Sequence, residues 1–171
     1  DVESKEYATL KDNLAGLEKQ NVSINLSPRQ FKEQDLVTLF TQALAENNID
    51  GSSLSVEVTE RTLIDNVGEV EKTLKKLRSM GVRILLDDFG TGYASLAYLK
   101  EFPVDVVKID HAFIAGIPDN EDDSAIVDAI AGLTRGLKLA LHAEGVENER
   151  QLNVLKGLGC QFGQGYYWSK P

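Results

Sequence analysis

The sequence predicts an α/β fold built on a mostly parallel sheet. Three observations support this: short segments rich in Val, Ile and Leu recur along the chain, amphipathic helical segments lie between them, and glycines follow the helical segments. Several of the short segments are apolar nearly throughout, which is typical of strands covered on both faces. Repeated strand–helix units favour either a doubly wound sheet or a (β/α)8 barrel.

Six apolar segments are predicted to form strands because they are short and rich in branched side chains. They are residues 22–26, 54–58, 82–86, 104–109, 137–141 and, with a weaker pattern, 160–162. A glycine precedes four of these segments, and we expect each of these glycines to end the preceding helix. The four are Gly51, Gly81, Gly136 and Gly159.

Helices are predicted where apolar residues recur at intervals of three and four. Such stripes occur at residues 36–44, 67–77, 126–133 and 152–158, and residues 1–20 show the same pattern. A shorter helix is expected from about residue 93 to residue 101, ahead of Pro103. The chain contains no linker rich in Gly, Ser or Pro, so residues 1–171 are expected to form one domain.

The composition is that of an ordinary globular protein, with 42% hydrophobic and 26% charged residues among 171. The net charge of -9 disfavours a polymeric nucleic acid as partner, but it allows a small phosphate ligand held through metal ions. Cys160 is the single cysteine, so an internal disulfide is excluded. No apolar run approaches the roughly 20 residues that span a bilayer. We expect a cytoplasmic domain, which other parts of the whole protein could tether to a membrane.

Polar side chains lie within or directly after each predicted strand. They are Asn25, Glu57, the adjacent Asp87 and Asp88, Lys108 with Asp110, Glu144, and Gln164. A single one of them could be a helix cap, which is the alternative for Asn25 and Asp110. Glu57 and Lys108, however, lie inside apolar runs, where an unpaired charge is costly. Because all strands of a parallel barrel open on one face, we expect these side chains to converge there.

Converging carboxylates repel one another, so the predicted cluster needs either a cation or protonation. Its oxygen donors favour Mg²⁺ or Mn²⁺, or Ca²⁺, over zinc. The adjacent Asp87 and Asp88 suit a two-metal site that activates water for attack on phosphorus. Lys108 would then hold the attacking water or offset phosphate charge, and an ion pair with the excess carboxylates is the alternative. Another class of (β/α)8 metal enzyme stays open at this point.

Six motifs, in their order and spacing, resemble those of the EAL domain family of cyclic di-GMP phosphodiesterases. They are INLSPRQF at 24–31, EVTE at 57–60, LDDFGTGYASL at 86–96, VKID at 107–110, AEGVE at 143–147 and QGY at 164–166. The resemblance covers residues 22–171. It implies a modified (β/α)8 barrel with one antiparallel strand, and hydrolysis of cyclic di-GMP to linear pGpG with two Mg²⁺ or Mn²⁺ ions, Ca²⁺ being an inhibitory alternative.

The resemblance also implies a role for each matching residue. The implied metal ligands are Asn25, Glu57, Asp87 as the bridging carboxylate, Asp88, and Glu144 directly or through water. Lys108 and Gln164 are implied to assist the attacking water, and Glu60 and Glu147 to steady the loop 88–93. Asp110 and Gly165 are implied to contact the substrate. Family members often form homodimers and often carry sensory or GGDEF domains, so we expect the same of the whole protein.

Three departures from the family pattern stand out. First, the Glu-Ala-Leu signature is absent before Asn25, and its glutamate is a metal ligand in the family. Second, His111-Ala112 replaces the Arg-Ser pair that usually follows the VKID motif. Third, Leu141-His142 stands where the family commonly has two apolar residues. A barrel of this type has about 250 residues, so we expect a chain that is incomplete at its N-terminus, without the first strand and helix, and weakly active alone. The alternative is a catalytically inactive cyclic di-GMP receptor of the same fold.

Overall fold

The computed structural model describes residues 21–65, 67–90 and 96–170. The helix predicted for residues 1–20 and the start of the helix predicted from residue 93 therefore lie outside the described residues. The chain forms two compact units, one of Asp1–Val58 with Thr62–Ile84 and one of Thr59–Arg61 with Leu85–Pro171.

Strands and helices alternate along the described residues. In chain order they are β1 (Val22–Asn25), α1 (Pro28–Glu33), α2 (Leu36–Asn47), β2 (Leu54–Thr59), α3 (Glu60–Asp65), α4 (Val67–Ser79), β3 (Arg83–Phe89), α5 (Leu96–Glu101), β4 (Val106–Ile109), α6 (His111–Gly116), α7 (Glu121–Leu137), β5 (Ala140–Ala143), α8 (Glu149–Gly157) and β6 (Phe162–Gly163). Among the described helices, none combines the length and the apolar character that crossing a membrane requires.

The strands follow one another in the sheet in their sequence order, from β1 to β6. The pairs β1–β2, β3–β4, β4–β5 and β5–β6 are all parallel. Sequential parallel strands are the order of a (β/α) barrel, whereas a doubly wound sheet reverses its strand order at a switch point. The predicted α/β class is confirmed, and the doubly wound alternative is wrong. The implied antiparallel strand does not take part in these pairings and stays a prediction.

In the first unit, β2 is covered on both faces, as its apolar sequence predicts. Leu54, Val56 and Val58 are fully buried on one face, and Ser55 and Glu57 are buried on the other, at 2% and 8% exposure. The stripes of α2 and α4 supply Phe40 and Leu74 to the interior, at 2% and 0% exposure. Burial of large side chains of this kind stabilises the fold by about 1.5 to 3 kcal/mol each.

The second unit has the same organisation around β4. Every residue of β4 is buried. Ile114 of α6 and Val127 of α7 are fully buried, as are Val107 and Ile109 of β4. The core of this unit therefore consists of the parallel strands and the apolar stripes of the helices that connect them.

The predicted strand at 137–141 is wrong in its first half. Helix α7 continues to Leu137, and Lys138 ends it in the left-handed conformation, with its N–H donating to Arg135 O and Thr134 O. Gly136 is therefore inside the helix, and β5 begins only at Ala140. Apolar residues of a helix end and of a following strand form one continuous run, and periodicity alone does not separate them.

Helix ends differ from the prediction at one further glycine. Asn48, with φ 51°, follows α2 and takes the role expected of Gly51, which instead begins a short 3₁₀ turn. Gly81 and Gly159 have φ of 93° and 81° and follow α4 and α8, as predicted. Asn is the residue that most readily replaces glycine in this conformation.

Candidate metal and phosphodiester site

Asn25 is the last residue of β1, and its register partner Glu57 lies within β2, two residues before the end of that strand. Register partners in a parallel pair extend from the same side of the sheet, so the two side chains are neighbours there. Leu26 N–H donates to Glu57 O over 2.9 Å, which continues the pairing one residue past Asn25. Glu57 is 8% exposed, whereas Asn25 is exposed. The structure thus places an amide and a buried carboxylate side by side.

Three carboxylates of the second unit form a cluster of their own. Asp87, Asp88 and Glu144 each offer an oxygen, and these oxygens lie within 4.8 Å of one another. Asp87 and Asp88 come from the end of β3, and Glu144 directly follows β5. The convergence predicted for these three residues is therefore present.

A β-bulge in β3 allows two adjacent aspartates to reach the same cluster. Successive side chains of a regular strand point to opposite faces. Here the β3–β4 register shifts between Leu86 and Phe89, and Asp88 has φ 53°, in the left-handed region. Bulges of this kind redirect a side chain and occur often next to active sites. The sequence indicated the Asp-Asp pair but not the bulge.

Lys108 lies between two of the carboxylates. Its Nζ is 2.9 Å from Asp87 Oδ1 and 2.7 Å from Glu144 Oε1, and its side chain is 4% exposed. The lysine therefore forms the ion pairs that the sequence analysis gave as the alternative to its assigned role. The same position beside two carboxylates is also suitable for holding a water molecule or a phosphate oxygen.

Glu144 has two further contacts that fix its position. Gln164 Nε2 donates to Glu144 Oε1 over 2.7 Å. The backbone N–H of Glu144 donates to Ile109 O over 3.2 Å, at the end of β4. Gln164 follows β6 directly, so the end of that strand also contributes to the cluster, as predicted.

The electrostatics of the cluster favour a bound cation. Burial raises the pKa of Asp88 above its ordinary value, and the neighbouring carboxylates of Asp87 and Asp110 raise it further, whereas Lys108 lowers it. Asp87 Oδ1 is buried, with the ammonium group of Lys108 2.9 Å away. Clustered carboxylate oxygens whose charge one lysine offsets only in part fit a hard divalent cation such as Mg²⁺, Mn²⁺ or Ca²⁺.

Glu60 and Asp110 interact with residues at the end of β3, next to the carboxylate cluster. Glu60 is 6% exposed, and its Oε1 accepts a hydrogen bond from Gly90 N over 2.9 Å, two residues after Asp88. Asp110 caps α6, with its Oδ1 accepting from Ala112 N over 2.7 Å, and it also interacts with Asp88. Asp110 is therefore both the helix cap and a neighbour of the cluster.

Glu147 and Gly165 have less direct relations to the cluster. Glu147 is exposed, and its backbone N–H donates to Gln151 Oε1. The loop it was expected to steady, residues 88–93, includes residues 91–93, which lie outside the described part of the chain, so this role stays a prediction. Gly165 has φ 153°, and a Cβ there would lie 2.2 Å from Val146 O. Close packing explains this glycine, and its predicted substrate contact stays a prediction.

The sequence analysis missed Gln151, a buried amide at 3% exposure that contacts the segment following Glu144. The available signal was the spacing of Asn148 and Gln151, which is that of a capping box. That spacing predicts a helix start but not the burial of the amide.

Comparison with known proteins identifies related sequences. The sequence profile of the EAL domain family matches residues 5–171. The bifunctional diguanylate cyclase/cyclic di-GMP phosphodiesterase MucR of Pseudomonas aeruginosa is 44% identical over 151 residues, 88% of this chain and 22% of MucR. The cyclic di-GMP phosphodiesterase NbdA of the same organism is 39% identical over 159 residues, 93% of this chain and 20% of NbdA. The chain thus spans about a fifth of the length of these relatives.

Solved structures show the same fold. The MucR phosphodiesterase in complex with c-di-GMP has a TM-score of 0.90 and 38% identity, covering 99% of this chain and 72% of that chain. BlrP1 of Klebsiella pneumoniae, solved with manganese and cy-diGMP, has a TM-score of 0.86 and 31% identity, covering 99% of this chain and 43% of that chain. BlrP1 has also been solved with calcium and cy-diGMP.

Proposed function

The chain belongs to the EAL domain family, and from that premise we propose that it is a metal-dependent phosphodiesterase domain that hydrolyses cyclic di-GMP to linear pGpG. The observation that carries the proposal is the cluster of Asp87, Asp88 and Glu144, with Lys108 Nζ 2.9 and 2.7 Å from two of its oxygens. Relatives named as cyclic di-GMP phosphodiesterases support the reaction and the substrate.

Two divalent ions, Mg²⁺ or Mn²⁺, would be held by these carboxylates. Asp87 would be shared by both ions, Asp88 would serve the second, and Glu144 would act directly or through water. Asn25 and Glu57 are the proposed further ligands of the first ion. The manganese and calcium complexes of BlrP1 support divalent metal at a site of this family. When bound, such ions acidify a coordinated water and neutralise phosphate charge.

The chain's own residues orient the reactants. Lys108 holds the attacking water, and its charge is favoured by the carboxylates of Asp87 and Glu144. Gln164 keeps Glu144 Oε1 in place. The water oxygen bonds to phosphorus and gives up a proton, the bond from phosphorus to the 3′ oxygen breaks, and that oxygen takes up one proton in exchange, which leaves a linear dinucleotide with a 5′ phosphate and a 3′ hydroxyl. Asp110 and Gly165 are the proposed substrate contacts.

The whole protein is proposed to be a homodimer with its EAL domain in the cytoplasm and with sensory or GGDEF domains elsewhere in its sequence. MucR is named as a diguanylate cyclase as well as a phosphodiesterase, which supports a second catalytic domain. Residues 1–171 are proposed to be a single EAL domain.

The test is turnover of cyclic di-GMP by the whole protein, with product identified by liquid chromatography. We expect pGpG in the presence of Mg²⁺ or Mn²⁺ and none after EDTA treatment. Asp128→Asn is the control, because Asp128 is an exposed carboxylate on α7 outside the cluster. Tight binding of cyclic di-GMP with no pGpG would contradict the enzyme and support the receptor alternative.

A further inference from the structure

We propose that Gln151 is a positioning residue for Glu144. Its buried amide holds the segment 144–148 against α6, and the conformation of that segment sets the place of the Glu144 carboxylate beside Lys108. The inference rests on the proposed function, because it concerns how the proposed metal and water site is kept in shape.

The amide of Gln151 is satisfied on both sides by backbone groups. Its Oε1 accepts hydrogen bonds from Glu147 N over 2.8 Å and from Asn148 N over 3.3 Å. Its Nε2 donates to Ile114 O of α6 over 2.9 Å. An amide oxygen only accepts and an amide nitrogen only donates, so these partners fix a single orientation of the side chain.

A second capping box in the chain shows what is unusual about Gln151. Ser27 and Gln30 form the same motif at α1, where the Gln30 side chain is half-buried and its Oε1 accepts hydrogen bonds from Ser27 N and Oγ. Gln151 is 3% exposed and bonds to Ile114, 37 residues away in the chain. A helix cap needs neither the burial nor the second partner, so the amide has a role in addition to capping.

The segment that Gln151 holds is fixed along its length. Glu144 N–H donates to Ile109 O, and Val146 N–H donates to Gln164 O over 2.9 Å. Gly145 has φ 69° and lies so close to α6 that a Cβ would be 2.7 Å from His111 Cβ. Gln151 closes the far end of the segment. Without it, the turn at Gly145 loses the anchor that follows it.

The same amide joins two parts of the chain that reach the cluster, which are helix α6 after Asp110 and the segment that begins at Glu144. Helix α6 begins after Asp110, which interacts with Asp88, and it carries Ile114, the partner of Gln151 Nε2. The segment held by Oε1 begins at Glu144. A shift of the amide would therefore change the distance between the Asp110 end and the Glu144 end of the cluster.

The experiment compares Gln151→Met with Gln161→Met in the whole protein. Methionine keeps the length of the side chain and removes all its hydrogen bonds. Gln161, an exposed residue, is the control because its Oε1 also accepts from a backbone group, Leu141 N, over 2.7 Å, which lies outside segment 144–148. We expect Gln151→Met to bind Mn²⁺ roughly tenfold more weakly by calorimetry and to lower kcat with little change in KM. Both measurements are made well below the unfolding temperature.

A conservative variant separates positioning from stability. Gln151→Glu keeps an acceptor for Glu147 N and Asn148 N but loses the donor to Ile114 O, so we expect a Mn²⁺ affinity between those of wild type and Gln151→Met. If Gln151→Met does not fold, the Mn²⁺ affinity and kcat of Gln151→Glu alone test the inference. A folded Gln151 variant that matches Gln161→Met in Mn²⁺ affinity and kcat overturns the inference and leaves the proposed function intact. Wild-type protein that neither binds Mn²⁺ nor yields pGpG overturns both.

Discussion

Lys108 and Glu144 form a nearly buried ion pair, with 2.7 Å between Nζ and Oε1 and with side-chain exposures of 4% and 16%. The same ammonium group lies 2.9 Å from Asp87 Oδ1. One lysine therefore offsets part of the charge of a three-carboxylate cluster, and the remaining negative charge is available to divalent cations.

Replacement of Lys108 separates its two proposed roles. We expect Lys108→Met to lower kcat roughly 100-fold or more with a much smaller effect on cyclic di-GMP affinity, because the lysine acts on the attacking water. Without metal, the variant is expected to lose up to about 3 kcal/mol of unfolding free energy, since two partly buried carboxylates lose their cationic partner. Urea unfolding with EDTA and with Mn²⁺ measures this loss and its partial recovery.

The control for that comparison is Lys72→Met, which removes an exposed lysine from α4. It is expected to change neither kcat nor stability measurably. Equal losses of kcat and of ligand affinity in Lys108→Met would contradict the role of Lys108 in holding water, because they would indicate uniform binding.

Asp87→Asn tests the bridging assignment. Asparagine keeps the shape of the side chain but removes the charge, so the affinity for both Mn²⁺ ions is expected to fall, together with the ion pair to Lys108. Calorimetric titration gives the affinity and the stoichiometry. Asp128→Asn is again the matched control, and a titration of Asp87→Asn that coincides with it would refute the assignment.

Acid titration probes the link between the α6–α7 connection and α8. Arg150 donates two hydrogen bonds to Asp119, of 2.8 and 2.7 Å, and these bonds hold the pKa of Asp119 below its ordinary value. A carboxyl group with a lowered folded-state pKa adds stability above its unfolded pKa and loses it as the pH falls through the folded pKa. Arg150→Met is expected to remove this acid-dependent contribution.

The measurement is the carboxyl carbon shift of Asp119 followed by NMR through acid pH. We expect the pKa to rise in Arg150→Met and to stay unchanged in Lys156→Met, which removes an exposed positive charge from the same helix. An unchanged Asp119 pKa in Arg150→Met would show that the pair does not persist in solution.

The start of a strand was predictable from the sequence where polar residues or a turn come directly before the apolar run. β1 and β2 begin at Val22 and Leu54, as predicted, because polar residues or a turn precede them. The start of β5 was not predictable, because a left-handed Lys138 ends the preceding helix where a glycine was expected.

The sequence predicted that Asp87, Asp88 and Glu144 lie close together, but it did not predict the geometry of their cluster. A charge inside an apolar run is costly, which singled out Lys108 in the sequence, whereas Glu144 was singled out because it follows a predicted strand. The bulge at Asp88 depends on strand pairing, and the contact from Gln151 to Ile114 joins distant segments. Neither leaves a periodic pattern in the sequence.

Gly165 offers a test of the packing behind Gln164. Its φ of 153° is unfavourable for other residues, and a Cβ would lie 2.2 Å from Val146 O. Because the atoms that the new methyl group would meet belong to the backbone of Val146, Gly165→Ala forces the chain to move, at a cost of about 3 kcal/mol or more. Val146 N–H donates to Gln164 O, so the movement is also expected to displace Gln164 from Glu144 and to weaken Mn²⁺ binding.

Gly132→Ala is the matched control, since Gly132 lies within α7 and a Cβ there meets nothing within 4 Å. Alanine in a helix interior is expected to stabilise the protein by roughly 0.5 to 1 kcal/mol. The two substitutions add the same methyl group and should shift the urea midpoint in opposite directions. If Gly165→Ala shifts it as Gly132→Ala does, the close approach of Gly165 to Val146 is absent in solution. Gln164 would then need another anchor to hold Glu144 beside Lys108.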